Sequence, residues 1–191
     1  MCKIVPEIRD RYSLYRELLE QSKEITVNVI KIVDFKINHQ STLISSNTHV
    51  KHINLSDEIT FIVEVKKDNY KSFKFKLKCL TLSGTPFFRY DSDGVAERIY
   101  DENTGLLNQQ ILTPHFNCFN EKGRGIAYHT SALKDEQQRK TFEDINVCVG
   151  HFCDESKSWA KDNGFPHISI RPGEIEFLEI KDDPNEGVQF T

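Results

Sequence analysis

A chain of 191 residues with 38% apolar and 28% charged side chains can bury a sizeable core, and it is too apolar to stay disordered. Its formal net charge of −4 excludes the overall basic balance of a general duplex-binding protein, while leaving room for a local basic patch. The opening residues MCKIVPEIRDRY lack the apolar stretch of a signal peptide, and no stretch nears the roughly 18 apolar residues of a membrane-spanning helix. A cytoplasmic location with no membrane partner is therefore expected. The five cysteines, Cys2, Cys79, Cys118, Cys148 and Cys153, are odd in number and form no C-x-x-C pair, which points to free thiols in a reducing compartment.

In chain order, Pro6 to about Gln21 reads as a helix, with Pro6 in its first turn and Leu14, Leu18 and Leu19 at helical spacing. Ile25–Ile37 is β-branched and mostly alternating, hence a strand. Residues 38–55 are polar and Ser/Asn-rich and read as a loop holding at most a short strand. The clearest element is a hairpin. Ile59, Phe61, Val63 and Val65 alternate on one run, and Phe73, Phe75, Leu77 and Cys79 on the next. The two rows share a face only if Val65 meets an odd-numbered residue, because a one-residue slip would send them to opposite faces. Pairing Val65 with Phe73 through a three-residue or bulged turn at Asp68–Tyr70 satisfies that phase.

Thr85–Tyr90 reads as a further strand. A long excursion with little periodicity follows, broken at Gly94 and Gly105. PHFNCF and GIAYHT are short strands around the turn NEKGRG. A second, long helix is expected from about Lys134 to Ser158, its stripe Phe142, Ile145, Val149 and Phe152 facing the core. HISI and EIEFLEI are late strands, and the polar tail, 183–191, is expected to fray. The whole reads as one α+β domain, residues 1–191, with a mostly antiparallel sheet, an N-terminal helix and one long helix after the central strands.

Several constellations bear on function. Lys74, Lys76 and Lys78 alternate with the Phe row, forming either a phosphate-tracking stripe or a solvated face with Glu64 opposite Lys74. His115, Cys118, Cys148, His151 and Cys153 have spacings compatible with zinc, but the flanking apolar stripe favours buried thiols, and no metal or other cofactor is expected. Cys118 near His115 or His129 lacks any local signature of a thiol nucleophile. A fourth set is richer. Arg89 and Asp91 end one strand, His115 and Asn117 share a face of another, and His129 ends the next. If these strands are neighbours, Arg89, His115, Asn117 and His129 converge into a set suited to phosphodiester chemistry. There His acts as acid or base and Arg stabilises the phosphate charge. Asp91, Lys74, Lys76 and Lys78 then serve binding. His115 is expected to point out of the core.

The stretches RYDSDG, ENTG, PHFN and GIAY resemble an uncharacterised bacterial family of mobile elements and prophages. Its pattern is R-x-D-x-x-G, an Asn- and Gly-containing turn, P-H-x-H and an Ala-containing strand before a helix. Arg89, Asp91, Gly94, Pro114 and His115 match, and Asn117 stands where the second His is usual. The likeness spans about Phe88 to Phe152. A similar P-H-x-H strand occurs in some small toxins of toxin–antitoxin pairs that act on RNA. The resemblance thus implies a nuclease-like or RNA-interacting protein, with RNA or a protein as partner. The alternative is a non-catalytic binding or scaffold module.

Overall fold

The computed structural model of the protein describes residues 4–34, 42–95, 97–99 and 109–172. Two short helices, α1 (Pro6–Asp10) and α2 (Tyr12–Glu20), open the chain. They replace the single expected helix because Arg11 leaves helical geometry, with φ −125 and ψ 37. Next come β1 (Lys23–Ile25), β2 (Val29–Asp34), β3 (Leu43–His52), β4 (Ile59–Lys66), β5 (Phe73–Cys79) and β6 (Phe88–Asp91). They are followed by β7 (Glu97–Ile99), β8 (Gln109–Ile111), β9 (His115–Phe119) and β10 (Gly125–Tyr128). Then α3 (Ser131–Lys134), α4 (Glu136–Arg139), a 3-10 turn at Lys140–Glu143, α5 (Ile145–Ser156), β11 (Ser158–Ala160) and β12 (His167–Pro172) complete the described chain.

Eight strands form one sheet in the order β10-β9-β6-β5-β4-β3-β1-β11, antiparallel throughout except for the β1–β11 pair. Strands β2 and β12 form a separate parallel pair, and β7 and β8 a separate antiparallel one. The architecture is α+β, dominated by a mostly antiparallel sheet.

The central hairpin has the register its alternation demands, Val65 opposite Phe73 and Phe61 opposite Leu77. Its turn is wider than Asp68–Tyr70. Lys66 N–H donates to the Ser72 carbonyl, and Asn69 and Ser72 close two successive turns between them. The loop therefore spans residues 67–71, which keeps the same parity.

The polar segment expected as loop contains the ten-residue strand β3. Ile44, Thr48, Val50 and His52 point inward at alternate positions with the half-buried Ser46 among them, and Ser45, Asn47 and His49 face out. The expected strand Ile25–Ile37 splits into β1 and β2, and residues 35–37 lie outside the described residues, as do EIEFLEI and the tail.

The expected long helix is broken by its own aspartates. The Asp135 carboxylate accepts from Gln137 and Gln138 N–H, and that of Asp144 from Asn146 and Val147 N–H. Each caps a new helix start. Helix α5 then stops at Lys157, which adopts left-handed geometry (φ 54) and turns the chain into β11.

One face of the sheet carries the core. In register across β4, β5, β6, β9 and β10 run Val63, Phe75, Tyr90, Phe116 and Tyr128. Helix α5 lies over this face, and the Phe152 ring sits 5.4 Å from Phe61, 5.5 Å from Phe75 and 5.3 Å from Phe88. From α2, Tyr15 is buried and its hydroxyl accepts from Phe119 N–H at 2.8 Å. Lys23, 2% exposed, closes the C-terminus of α2 by donating to the carbonyls of Leu18, Leu19 and Gln21. The chain start is held on the β9–β10 turn, where Val5 N–H donates to the Gly123 carbonyl. A Cβ at Gly123 (φ 69) would lie 2.5 Å from the Val5 carbonyl oxygen, so only glycine fits there. Among the described residues no helix is long and apolar enough to cross a membrane.

Because Phe152 joins rings from four strands, with Phe116 of β9 also stacked on it, Phe152→Ala should destabilise the fold by about 3–5 kcal/mol in denaturant titration. A loss below about 1 kcal/mol would mean that α5 is not what seals the sheet.

Candidate functional site

The second face of the sheet follows from the first, because every core residue has outward-facing neighbours on its own strand. Ladder registers align them in two cross-sheet rows. One row is Ser45, Glu64, Lys74, Asp91 and His115. The other is Asn47, Ile62, Lys76, Arg89 and Asn117. Lys78 lies beside Thr60 in the row beyond.

These rows meet at Asp91, which is 3% exposed. Its Oδ2 accepts from Arg89 Nε at 2.7 Å and from Asn117 Nδ2 at 2.8 Å, and His115 Nε2 stands 3.5 Å away. Lys74 Nζ approaches Oδ1 at 3.3 Å as a charge contact, not an aligned hydrogen bond. Glu64 turns diagonally to Lys76 (2.5 Å) instead of meeting Lys74 straight across. Lys78 makes no ion pair among the described residues.

Burial alone would push the Asp91 carboxyl up. The surrounding His115, Arg89 and Lys74 outweigh it and hold the group at about 2. Asp91 is thus an anion at neutral pH, shared among bases on three strands.

Sequence and structure differ most at His115. On the outward face a histidine is expected in water, yet it is 1% exposed and neither ring nitrogen makes an aligned hydrogen bond. The segment entering β9 is pinned beside it: His129 Nε2 lies 2.7 Å from the Leu112 carbonyl oxygen, and Arg139 donates to that of Thr113 at 2.5 Å. His129 is therefore engaged with Leu112, one residue past the end of β10, while Arg89, Asn117 and His115 gather at Asp91. Asp93 shapes the following turn and accepts from Ser72, Lys66 and Gly94 N–H.

The thiols belong to the opposite face. Cys148 is buried, accepts from the Tyr90 hydroxyl at 3.4 Å, and donates to the Phe142 carbonyl. Burial pushes it up to about 12, Cys153 to about 12 and Cys118 to about 11, so none carries the thiolate that a nucleophile needs. His115 and Cys118 fall on opposite faces of β9, which removes them as a chelating pair. Among the described residues no three His, Cys, Asp or Glu side chains gather as metal ligands.

A shallow groove of about 610 Å³ adjoins the rows where β6 and β9 end, lined in part by Lys71, Ser92, Pro114, Arg139 and Phe142. Ser92 and Pro114 are the chain neighbours of Asp91 and His115. Arg139 and Phe142 come from the segment expected to be continuous helix, so sequence periodicity gave no sign of this wall.

Comparison of the chain with family models, curated proteins and solved structures finds no match.

Two outcomes test the Asp91 centre. The folded carboxyl titrates below the ordinary value of 3.8, so its stabilisation is present above about pH 4 and is lost as pH falls toward 2. Asp91→Asn should remove about 2 kcal/mol at pH 7 and flatten that acid limb of the stability curve. An unchanged limb in the variant would place the acid sensitivity elsewhere. His115→Ala should cost about 1–3 kcal/mol in the same titration, as for a buried polar side chain and unlike an exposed one.

Proposed function

We propose that the outward face of the sheet binds single-stranded RNA without cleaving it. The observation that carries this reading is the charge of the face. By register it presents Lys51, Lys66, Lys74, Lys76, Lys78 and Arg89 against Glu24, Glu64 and Asp91, and Asp93 reaches Lys66 from the turn after β6, a net of +2. The whole chain is −4. Basic side chains are thus concentrated on the one side where the ladder leaves polar groups facing out.

Lys74, Lys76 and Lys78 stand at alternate positions of one strand, about 7 Å apart along it. That step suits successive phosphates of an extended strand, and a lysine row of this kind tracks a backbone without reading sequence. Tyr70, 46% exposed at the hairpin tip between Lys67 and Lys71, offers a ring for a base to stack on.

Against hydrolysis stands the burial of His115. A general acid or base must come within hydrogen-bond reach of the proton it moves. The imidazole is 1% exposed and lies against Asp91. The nuclease-like version of the reading is weakened at His115, and its second histidine, His129, is engaged with the Leu112 carbonyl, whereas binding needs only Lys74, Lys78 and Arg89, which are half-buried at the surface.

The test is fluorescence anisotropy with a labelled oligouridine at several salt concentrations. Lys78→Glu is the chosen variant, because Lys78 holds no acidic partner among the described residues and its replacement leaves Asp91 undisturbed. Wild type should bind with a strong salt dependence. The variant should bind several-fold more weakly, with its log–log salt slope reduced by about 0.7 for each phosphate it no longer neutralises. No binding at low salt, or an unaltered slope in the variant, would overturn the assignment. RNA cleavage that disappears in His115→Ala would restore the hydrolytic reading.

A further inference from the structure

Resting on the RNA-binding reading, we infer that the side-chain carbonyl of Asn117 is the acceptor that reads the ribose 2′-hydroxyl, making the face selective for RNA over DNA. The orientation of the amide decides this. Asp91 Oδ2 accepts from Arg89 and already bears negative charge, so the Asn117 group 2.8 Å away must be its NH2. The opposite flip would set the amide oxygen against the carboxylate, acceptor on acceptor. With Nδ2 committed to Asp91, Oδ1 is directed away from the carboxylate. It accepts no hydrogen bond from the described residues and is not among their buried unsatisfied atoms, so water or a ligand reaches it.

Its surroundings select what that ligand group is. Asn117 is in register with Arg89, whose Nε is held by Asp91, while Lys76 beyond it is paired with Glu64, so the phosphate-facing cation next to the amide is the half-buried Arg89 guanidinium. A phosphate drawn to that guanidinium brings its own sugar to Asn117. The ribose 2′-hydroxyl is a donor next to that phosphate, and deoxyribose has no counterpart. An Asp91-fixed carbonyl that faces outward among cationic donors is complementary to such a hydroxyl. Asp91 thus acts as a positioning residue. It neutralises part of the face and in return locks the neutral amide beside Arg89 in the flip that distinguishes the sugars.

The experiment compares three oligomers of one sequence, RNA, 2′-O-methyl RNA and DNA, on wild-type protein and on Asn117→Ala. Wild type should bind RNA about 3–10-fold more tightly than either of the others, the range expected for one neutral hydrogen bond. In Asn117→Ala the three affinities should converge. Equal binding of RNA and DNA by wild type overturns the inference and leaves the RNA-binding face standing, and so does discrimination that survives in the variant. Failure of wild type to bind any of the three overturns both. The 2′-O-methyl oligomer keeps the test decisive even if Asn117→Ala fails to fold, because it removes the donor from the ligand and leaves the protein intact.

Discussion

Five neighbouring strands, β4, β5, β6, β9 and β10, keep their side-chain alternation in phase, and the rest of the molecule depends on that constraint. In phase, the rows Val63, Phe75, Tyr90, Phe116 and Tyr128 form one aromatic surface on which α5 can lie. Out of phase by one residue on β5 or β6, an aromatic ring would meet water and a charged side chain would meet the core under Phe152. The cost of either is several kcal/mol, comparable to the net stability of a domain. The same phase creates the polar rows on the other side. The core and the proposed binding face are therefore one decision, made by the ladder.

On the polar side the ordering element is a single buried carboxylate. Asp91 gathers Arg89 from its own strand, Lys74 from one neighbour, and His115 and Asn117 from the other. Arg89 and Lys74 reach the buried carboxylate from the half-exposed surface and His115 from within, and Asp91 is held ionised in return. This arrangement is the basis on which recognition is proposed in preference to chemistry. A histidine packed at 1% exposure against an anion is well placed to stabilise structure and badly placed to exchange protons with a substrate. An amide fixed by the same anion is, by contrast, preorganised for the contact proposed for it.

Local hydrogen-bonding chemistry set several boundaries against the hydrophobic pattern. The stripe Phe142, Ile145, Val149 and Phe152 has helical spacing, yet Asp144 interrupts it by accepting from two N–H groups of the following turn. Phe142 therefore sits in a 3-10 turn and lines the groove instead of riding on α5. Asp135 does the same one helix earlier. Aspartate competes for backbone donors in this way wherever the chain can bend, and apolar periodicity is blind to it.

What the sequence by itself determined was phase. Strict alternation in Ile59–Val65 and Phe73–Cys79 required Val65 to meet Phe73, and the spacing of His115 and Asn117 required them to share a face, because side-chain period on a strand is a local property of the backbone. The placing of Lys74, Lys76 and Lys78 on one side followed equally. Adjacency and burial were decided only by the tertiary structure. Nothing local says that β6 lies between β5 and β9, which is what makes Asp91 a shared partner, nor that the His115 ring is buried and the chain ahead of it held by His129 and Arg139. Strand β3 was hidden for the same reason: its Ser, Asn and His side chains look like loop until pairing with β1 and β4 supplies the hydrogen bonds that its own composition does not announce. Strand order, enclosure and partner choice are properties of residues far apart in the chain, and their free energy appears only when those residues meet.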